Sequence, residues 1–305
     1  MKILVATDKP FAKIAVDGIR QVVEEGGQQF ELLEKYTEPQ QLYDAASDAD
    51  AMIVRSDLVT PEVVAAAKQL KIVVRAGAGY DNINLPACTE KGIVVMNTPG
   101  QNSNAVAELA FGMMISIARG QYDGKSGTEL RNKKIGIHAY GNVGKYVAMI
   151  AKGFGMNVYA FDPYVTADAM IADEVKPVRS VEELYLTCDY ISLHIPANSQ
   201  TKKSIGYDLI KLMPKGAVLV NTARKEVIDE EGMLKIMNER TDIKYVSDIE
   251  PDAKDEFAKF GNRVFFTPKK MGAQTEEANV NAGIAAARQI VNFFKTGDKT
   301  YQVNK

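Results

Sequence analysis

Two adjacent lysines, Lys269 and Lys270, stand in the stretch TPKKMGAQTEEA, residues 267 to 278. The chain has only two histidines, His138 and His194, so a proton-transfer site placed here has to use an amine. An ammonium is a competent acid at neutral pH. To act as a base, lysine must come down from about 10.4, and desolvation or a nearby positive charge moves it that way. Arg224, in NTARKEVID, follows an apolar run. A guanidinium at the C-terminal end of a buried strand can hold a carboxylate with two hydrogen bonds, or polarise an oxygen. Taken alone, it also reads as a surface ion pair. Arg55 in MIVRS and Arg75 in VVRAG end two further runs, and RAGAGYDN after Arg75 has glycines that expose backbone N–H groups. Each arginine alone is commonplace, but together with that loop they make an anion site.

A second constellation lies in KKIGIHAYGNVGKYVAMIAKGFGMNVYAFDPY. An apolar strand ends at Ala139, a glycine turn follows, a helix starts near Gly144, and a second strand ends at Asp162. Dinucleotide sites need such a turn so that N–H groups and a helix N-terminus can meet a pyrophosphate. The usual G-x-G-x-x-G reads here Ala139-Tyr140-Gly141-Asn142-Val143-Gly144. Alanine in the first position is expected to disfavour a positive φ there, while keeping the side chain small. Gly141 permits close approach of phosphate, and Gly144 permits helix–strand packing. Asp162, at the end of the second strand, can take both ribose hydroxyls and repel a 2′-phosphate, which favours NAD over NADP. A glycine pattern alone can be a plain tight turn, but strand, turn, helix, strand and acid in order are far more specific.

These groups need elements to hold them. Short β-branched runs bounded by turn residues (KILVA, AMIVR, KIVVR, GIVVMN) read as buried strands, alternating with helical segments such as KIAVDGIRQVVEEG and TPEVVAAAKQL. Thr60 with Pro61 supplies an N-cap and first turn. Alternation of this kind predicts α/β architecture with parallel sheets covered on both faces. A helix over Ala105–Arg119, apolar almost all round, suits a buried position between layers or domains, and a domain boundary is expected near Gly100. Six further runs (KKIGIHA, NVYAFD, YISLHIP, AVLVNTA, KYVSDI, RVFFTP) predict a complete doubly wound nucleotide-binding domain. The tail KTYQVNK is expected to return to the first domain.

Composition excludes several classes. At 305 residues the chain holds one large or two medium domains, and a net charge of −2 gives no electrostatic case for nucleic acid or an anionic membrane. The opening apolar run is too short for a signal-peptide core, and no stretch approaches a membrane helix, so a cytoplasmic protein is expected. Cys88 and Cys188 fit neither a metal spacing nor a disulfide framework.

VVRAGAGYDNI, NTPGQNSNAVAELA, FGMNVYAFDPY, ISLHIPANSQTKKSI, GAVLVNTARKEVIDEEG and GAQTEEA, in that order, closely resemble the D-isomer-specific 2-hydroxyacid dehydrogenases over nearly the whole chain. Within that family the chain is most similar to short 3-phosphoglycerate dehydrogenases, those without C-terminal regulatory domains, and to a subgroup with lysine in place of the catalytic histidine. The resemblance implies two doubly wound parallel-sheet domains. A flavodoxin-like substrate domain (1–99 completed by 283–305) would hold an inserted Rossmann domain (100–282), with substrate in the interdomain cleft and a homodimer formed through the helix after Gly100.

It implies that Arg224 is the catalytic arginine and that Lys270, or by an alternative count Lys269, exchanges the proton. Glu250, before Pro251 in a loop shorter than the family's, is either a substitute for the family glutamate or a surface acid. Ala76, Gly77, Ala78 and Gly79 would take the substrate carboxylate, with Arg55 and Arg75 on its phosphate. The NAD site would include Tyr140 to Gly144 of the turn, with Asp162 and Pro163 after the second strand. His194, Pro196, Thr222, Ala223, Asp248 and Gly272 would complete it. The implied reaction is oxidation of D-3-phosphoglycerate to 3-phosphohydroxypyruvate, a step of serine biosynthesis. A hydroxypyruvate or glyoxylate reductase and a non-catalytic NAD-sensing protein on the same fold are the alternatives.

Overall fold

Aliphatic runs become strands buried on both faces, as parallel sheets covered by helices require. The computed structural model describes residues 1–304, in two units: Met1–Asn102 with Thr275 to the C-terminal end, and Ser103–Gln274. The first unit contains β1 (Lys2–Thr7), β2 (Gln29–Glu34), β3 (Ala51–Val54), β4 (Ile72–Arg75) and β5 (Val94–Asn97). All pair in parallel in the order β2-β1-β3-β4-β5. Ile3, Val5, Ile53 and Val74 are wholly buried on these strands. Strand β2, QFELLE, escapes the apolar-run criterion because it is a half-exposed edge carrying two glutamates.

Helices Lys13–Glu25 and Glu276–Thr296 pack together because glycines let them approach. A Cβ on Gly18 would sit 2.8 Å from Ile284 Cδ1, and one on Gly283 would sit 2.7 Å from Ile19 Cδ1. The second of these helices begins at Thr275, whose hydroxyl caps the Ala278 N–H at 3.1 Å. The whole helix belongs to the first unit, whereas the sequence reading divides it at 282/283. A helix is one continuous hydrogen-bonded rod, so the division of units falls at its cap. Near the C-terminus the Val303 N–H donates to Val95 O at 2.9 Å, and Asn304 Oδ1 accepts from the Val95 N–H at 2.8 Å.

The second unit contains β6 (Lys134–His138), β7 (Asn157–Phe161), β8 (Lys176–Pro177), β9 (Tyr190–Leu193), β10 (Val218–Asn221), β11 (Lys244–Ser247) and β12 (Val264–Phe266). The parallel order is β12-β11-β10-β9-β6-β7-β8. Six of these strands are expected from the sequence. The seventh, β8, has two residues, one a proline, and carries no pattern to read. The chain runs outward from β6 to β8 and restarts at β9 on the other side, so the strand order reverses between β6 and β9. Ligands of doubly wound sheets bind in the crevice beyond the strand C-termini at such a reversal. Helix Ser103–Ala118 buries Ala107, Ala110, Met114 and Ile117 completely. No helix among the described residues is long and apolar enough to cross a membrane.

Candidate active site

The nucleotide turn follows β6 directly, with Gly141 as N-cap of helix Asn142–Gly153. Ala139 adopts φ +81°, so the alanine takes the left-handed conformation that the sequence reading disfavours. Its neighbours fix that conformation. The Ala139 N–H donates to Phe161 O at 2.9 Å, and the Tyr140 N–H donates to Asp162 Oδ2 at 2.8 Å. Gly144 lies so close that a Cβ there would be 2.5 Å from Ala139 O. Gly141, at φ −82°, has no conformational need to be glycine. A Cβ there would meet no protein atom within 4 Å, so the missing side chain serves approach from outside. First-turn N–H groups at Asn142 and Val143 have no intrahelical acceptors and point out of the helix N-terminus, which suits a pyrophosphate.

Asp162 accepts from the Tyr164 N–H at 2.8 Å through its other oxygen, so its carboxylate is oriented beside the turn, with Pro163 exposed next to it. The sequence places Tyr140 at the nucleotide turn, and its ring is buried in the core. Its hydroxyl donates to Asp173 at 3.0 Å, and burial and then Asp173 push the phenol above its usual range. At the turn it contributes main chain only.

The lysine loop is organised from below by Asp248, just past the end of β11. Its buried carboxylate accepts from Thr267 Oγ1 at 3.0 Å, the Met271 N–H at 2.7 Å and the Gly272 N–H at 2.8 Å. Gly272 is glycine because a Cβ would lie 2.9 Å from Asp248 Oδ2. The loop so held leaves Lys269 exposed and Lys270 half-buried. Lys270 Nζ donates to Ala223 O at 2.7 Å, and Arg224 Nη1 donates to the same carbonyl at 3.0 Å. The two cations nominated by the sequence therefore converge on one main-chain oxygen. Glu250 forms an ion pair with Lys254 at 3.1 Å.

His194 and Thr222 lie at the ends of β9 and β10. The His194 N–H donates to His138 O at 2.9 Å, and its ring nitrogens lie 2.9 Å from Ser192 Oγ and 3.5 Å from Thr222 Oγ1. Burial, and secondarily His138, pushes His194 down to about 3. Burial pushes His138 down to about 4 against the pull of Asp162, and its ring packs edge-on against Phe161 and Tyr185. Burial disfavours the charged form of both imidazoles, which makes each a poor proton acceptor. Pro196 is exposed, and its carbonyl accepts from the Thr201 hydroxyl. Burial raises the thiols of Cys88 and Cys188 to about 11 and about 12, leaving both as inert core residues.

In the first unit the loop after β4, the cradle expected for an anion, is held by its own hydrogen bonds. The Ala76 N–H is used by Val54 O at 2.8 Å, and the Gly77 N–H by Arg75 O at 2.9 Å. The Gly77 carbonyl accepts from the Thr98 N–H at 2.9 Å, and the Ala78 carbonyl from Asn97 Nδ2 at 2.6 Å. Among the described residues, the N–H groups of Ala78 and Gly79 make no hydrogen bond. Gly77 adopts φ +147°, which L side chains rarely take, and a Cβ there would lie 1.4 Å from Arg75 Nη1, so the guanidinium would have to move. Arg75 Nε donates to Arg55 O at 3.0 Å. Arg55 is engaged within its own unit, through Nη1 to the carbonyls of Lys9 and Pro10 and through Nη2 to Asn279 Oδ1 at 2.7 Å. Its guanidinium lies 4.9 Å from the Phe11 ring centre. Sequence reasoning passed over Asn97, Asn221 and Thr267. The signal available for Asn221 was an Asx residue closing a strand just before a nominated arginine.

Comparison with known proteins matches residues 105–269 to the NAD-binding domain of D-isomer-specific 2-hydroxyacid dehydrogenases. The chain is 38% identical over 268 residues to D-3-phosphoglycerate dehydrogenase of Methanocaldococcus jannaschii, covering 82% of this chain and 51% of that one. It is 34% identical to hydroxypyruvate reductase of Thermotoga maritima, covering 86% of this chain and 90% of that one. The crystal structure of NAD+-bound 3-phosphoglycerate dehydrogenase from Entamoeba histolytica superposes with a TM-score of 0.89 and 49% identity, covering 100% of this chain and 99% of that one. The chain spans about half the length of several curated relatives that it matches. The cofactor of the second unit is NAD, and the open approach at Gly141, the helix N-terminus and the oriented Asp162 carboxylate fit it.

Proposed function

This chain belongs to the D-isomer-specific 2-hydroxyacid dehydrogenases, and from that premise we propose that it interconverts D-3-phosphoglycerate and 3-phosphohydroxypyruvate, a step towards serine, as a cytoplasmic homodimer. The observation that carries the chemistry is the shared carbonyl of Ala223, which brings Lys270 Nζ and Arg224 Nη1 into one cluster. NAD supplies the hydride acceptor when bound. In oxidation the neutral amine of Lys270 takes the proton from the C2 hydroxyl. In reduction the ammonium returns it. Arg224 polarises the C2 oxygen and steadies the carboxylate.

The free N–H groups of Ala78 and Gly79 receive the carboxylate, and Arg75 with Arg55 receives the phosphate. Arg55 is held in place by the carbonyls of Lys9 and Pro10 and by Asn279. The expected dimer element, helix Ser103–Ala118, packs on helix Asn142–Gly153, and the dimer reading is supported by Tyr146, Met149 and Phe154 on the latter and its C-cap, which are 39%, 55% and 39% exposed.

The 34% identity to a hydroxypyruvate reductase, over nine-tenths of that enzyme, makes an unphosphorylated acid the second reading. A steady-state screen of 2-oxo acids with NADH decides between them. Phosphohydroxypyruvate should exceed hydroxypyruvate and glyoxylate in kcat/KM, and the reverse order transfers the assignment to the reductase. Lys270→Ala should lose on the order of 10²–10⁴ in kcat, the usual share of acid–base catalysis. Lys269→Ala, altering an exposed side chain, should stay near wild type. Full activity in Lys270→Ala would remove the amine from the mechanism.

A further inference from the structure

We propose that Asn221 is the positioning residue of the reaction, holding the Ala223 carbonyl on which both active-site cations rest. It closes β10 with its own main chain fixed, because the Asp248 N–H donates to Asn221 O at 2.8 Å. Its side chain is 2% exposed and is used at both ends. Oδ1 accepts from the Ala223 N–H at 3.0 Å, and Nδ2 donates to Arg224 O at 2.9 Å. These two bonds bracket the peptide unit joining Ala223 to Arg224, one residue on each side. The carbonyl of that peptide is therefore fixed in direction, and it accepts from Arg224 Nη1 and Lys270 Nζ.

A side-chain amide is suited to this task because it offers a donor and an acceptor in one rigid plane. Aspartate of the same shape has no hydrogen for Arg224 O, and alanine has neither group. The fixed carbonyl is a neutral acceptor shared by both cations. Asp248 complements it from the other side by holding the loop that carries Lys270. Asn221 itself touches no reacting atom in this assignment. Its effect passes through the geometry of Arg224 and Lys270, so the inference rests on their proposed roles.

The test is a double-mutant cycle on the full chain, assayed with phosphohydroxypyruvate and NADH. Asn221→Ala should lower kcat on the order of 10–10²-fold, the effect of displacing catalytic groups by about an ångström. KM for the acid and the dissociation constant of NADH should stay within about threefold, because loop 76–79 and the glycine turn are untouched. In a Lys270→Ala background the same substitution should lose at least threefold less, since it acts in part through a group already removed. Should the alanine variant not fold, the isosteric Asn221→Asp carries the test with the same expected fall in kcat. Unchanged kcat in a folded variant overturns the inference, and so does an equal loss in both backgrounds, which marks a general structural defect. Failure of the underlying reading looks different: Lys270→Ala would itself keep its kcat.

Discussion

Strands β5 and β10 both end in an asparagine followed by threonine, Asn97-Thr98 and Asn221-Thr222, and each asparagine commits its side chain to a loop of the candidate site. The two clamps differ in reach. Asn221 bonds residues two and three positions ahead, so its loop closes almost as soon as the strand ends. Asn97 reaches back 19 residues to Ala78 in the loop of the neighbouring strand. Its own carbonyl is held by Gln289, 192 residues away on the long C-terminal helix. Closure entropy rises with the length of chain closed. The loop after β10 is therefore ordered locally, whereas the proposed anion cradle of the first unit depends on the assembled sheet and on that helix.

If the cradle is held by assembly, its most crowded point should be its most sensitive. Gly77→Ala places a carbon 1.4 Å from Arg75 Nη1 on backbone at φ +147°, so loop or guanidinium must move. We expect kcat/KM for phosphohydroxypyruvate to fall on the order of 10²-fold, as for a displaced binding group. Stability should drop by about 1–3 kcal/mol from the forced backbone. NADH affinity, a property of the other unit, should hold. A variant within threefold of wild type in kcat/KM would show that the cradle is looser than this packing implies.

A smaller effect separates the two asparagines. Asn97→Ala removes one long-range hydrogen bond, worth about 0.5–1.5 kcal/mol, and should raise KM roughly two- to tenfold. Phosphorylated and unphosphorylated acids should suffer equally, because the loop takes the carboxylate they share, and kcat should hold. Asn221→Ala should do the opposite and lower kcat while KM holds. If Asn97→Ala impaired only the phosphorylated acid, the loop would be a phosphate site and the assignment of Arg75 would need to change with it.

The contrast also explains what the sequence disclosed. Inner strands were legible because burial on both faces writes an uninterrupted apolar run, as in β3 and β10. Strands β2 and β8 were not, one being a half-exposed edge and the other two residues long. Arg224 and Lys270 stand out in the sequence by type and position, since charged residues just after apolar strands or just before a Gly-Ala pair are chemically conspicuous. Their meeting on Ala223 O was hidden, because the bond joins residues 47 apart in sequence. Nothing in the amino-acid types says that Arg55 turns to Lys9, Pro10 and Asn279, or that Tyr140 turns inward to the core. Side-chain direction follows from packing, which sequence patterns do not contain.

Ala139 gives the smallest of these effects, and it tests how firmly the nucleotide turn holds its shape beside the cradle of the first unit. There glycine occupies the strained position, at Gly77; here alanine does, at φ +81°. A left-handed conformation costs a non-glycine residue about 1–2 kcal/mol. Glycine would relieve that strain but would enlarge the unfolded ensemble, a loss of about 0.4–1 kcal/mol. The strain exceeds the entropy, so Ala139→Gly should stabilise the second unit by roughly 0.5–1 kcal/mol. A unit of this size then melts about 1–4 °C higher. NADH should bind at least as tightly, because the N–H bonds of Ala139 to Phe161 O and of Tyr140 to Asp162 do not involve the methyl group. Thermal denaturation of the two proteins side by side, with and without NADH, measures both quantities. A lower melting temperature for the glycine variant would mean that the alanine methyl makes packing contacts worth more than its backbone strain, and that this turn is held by side-chain packing as well as by hydrogen bonds.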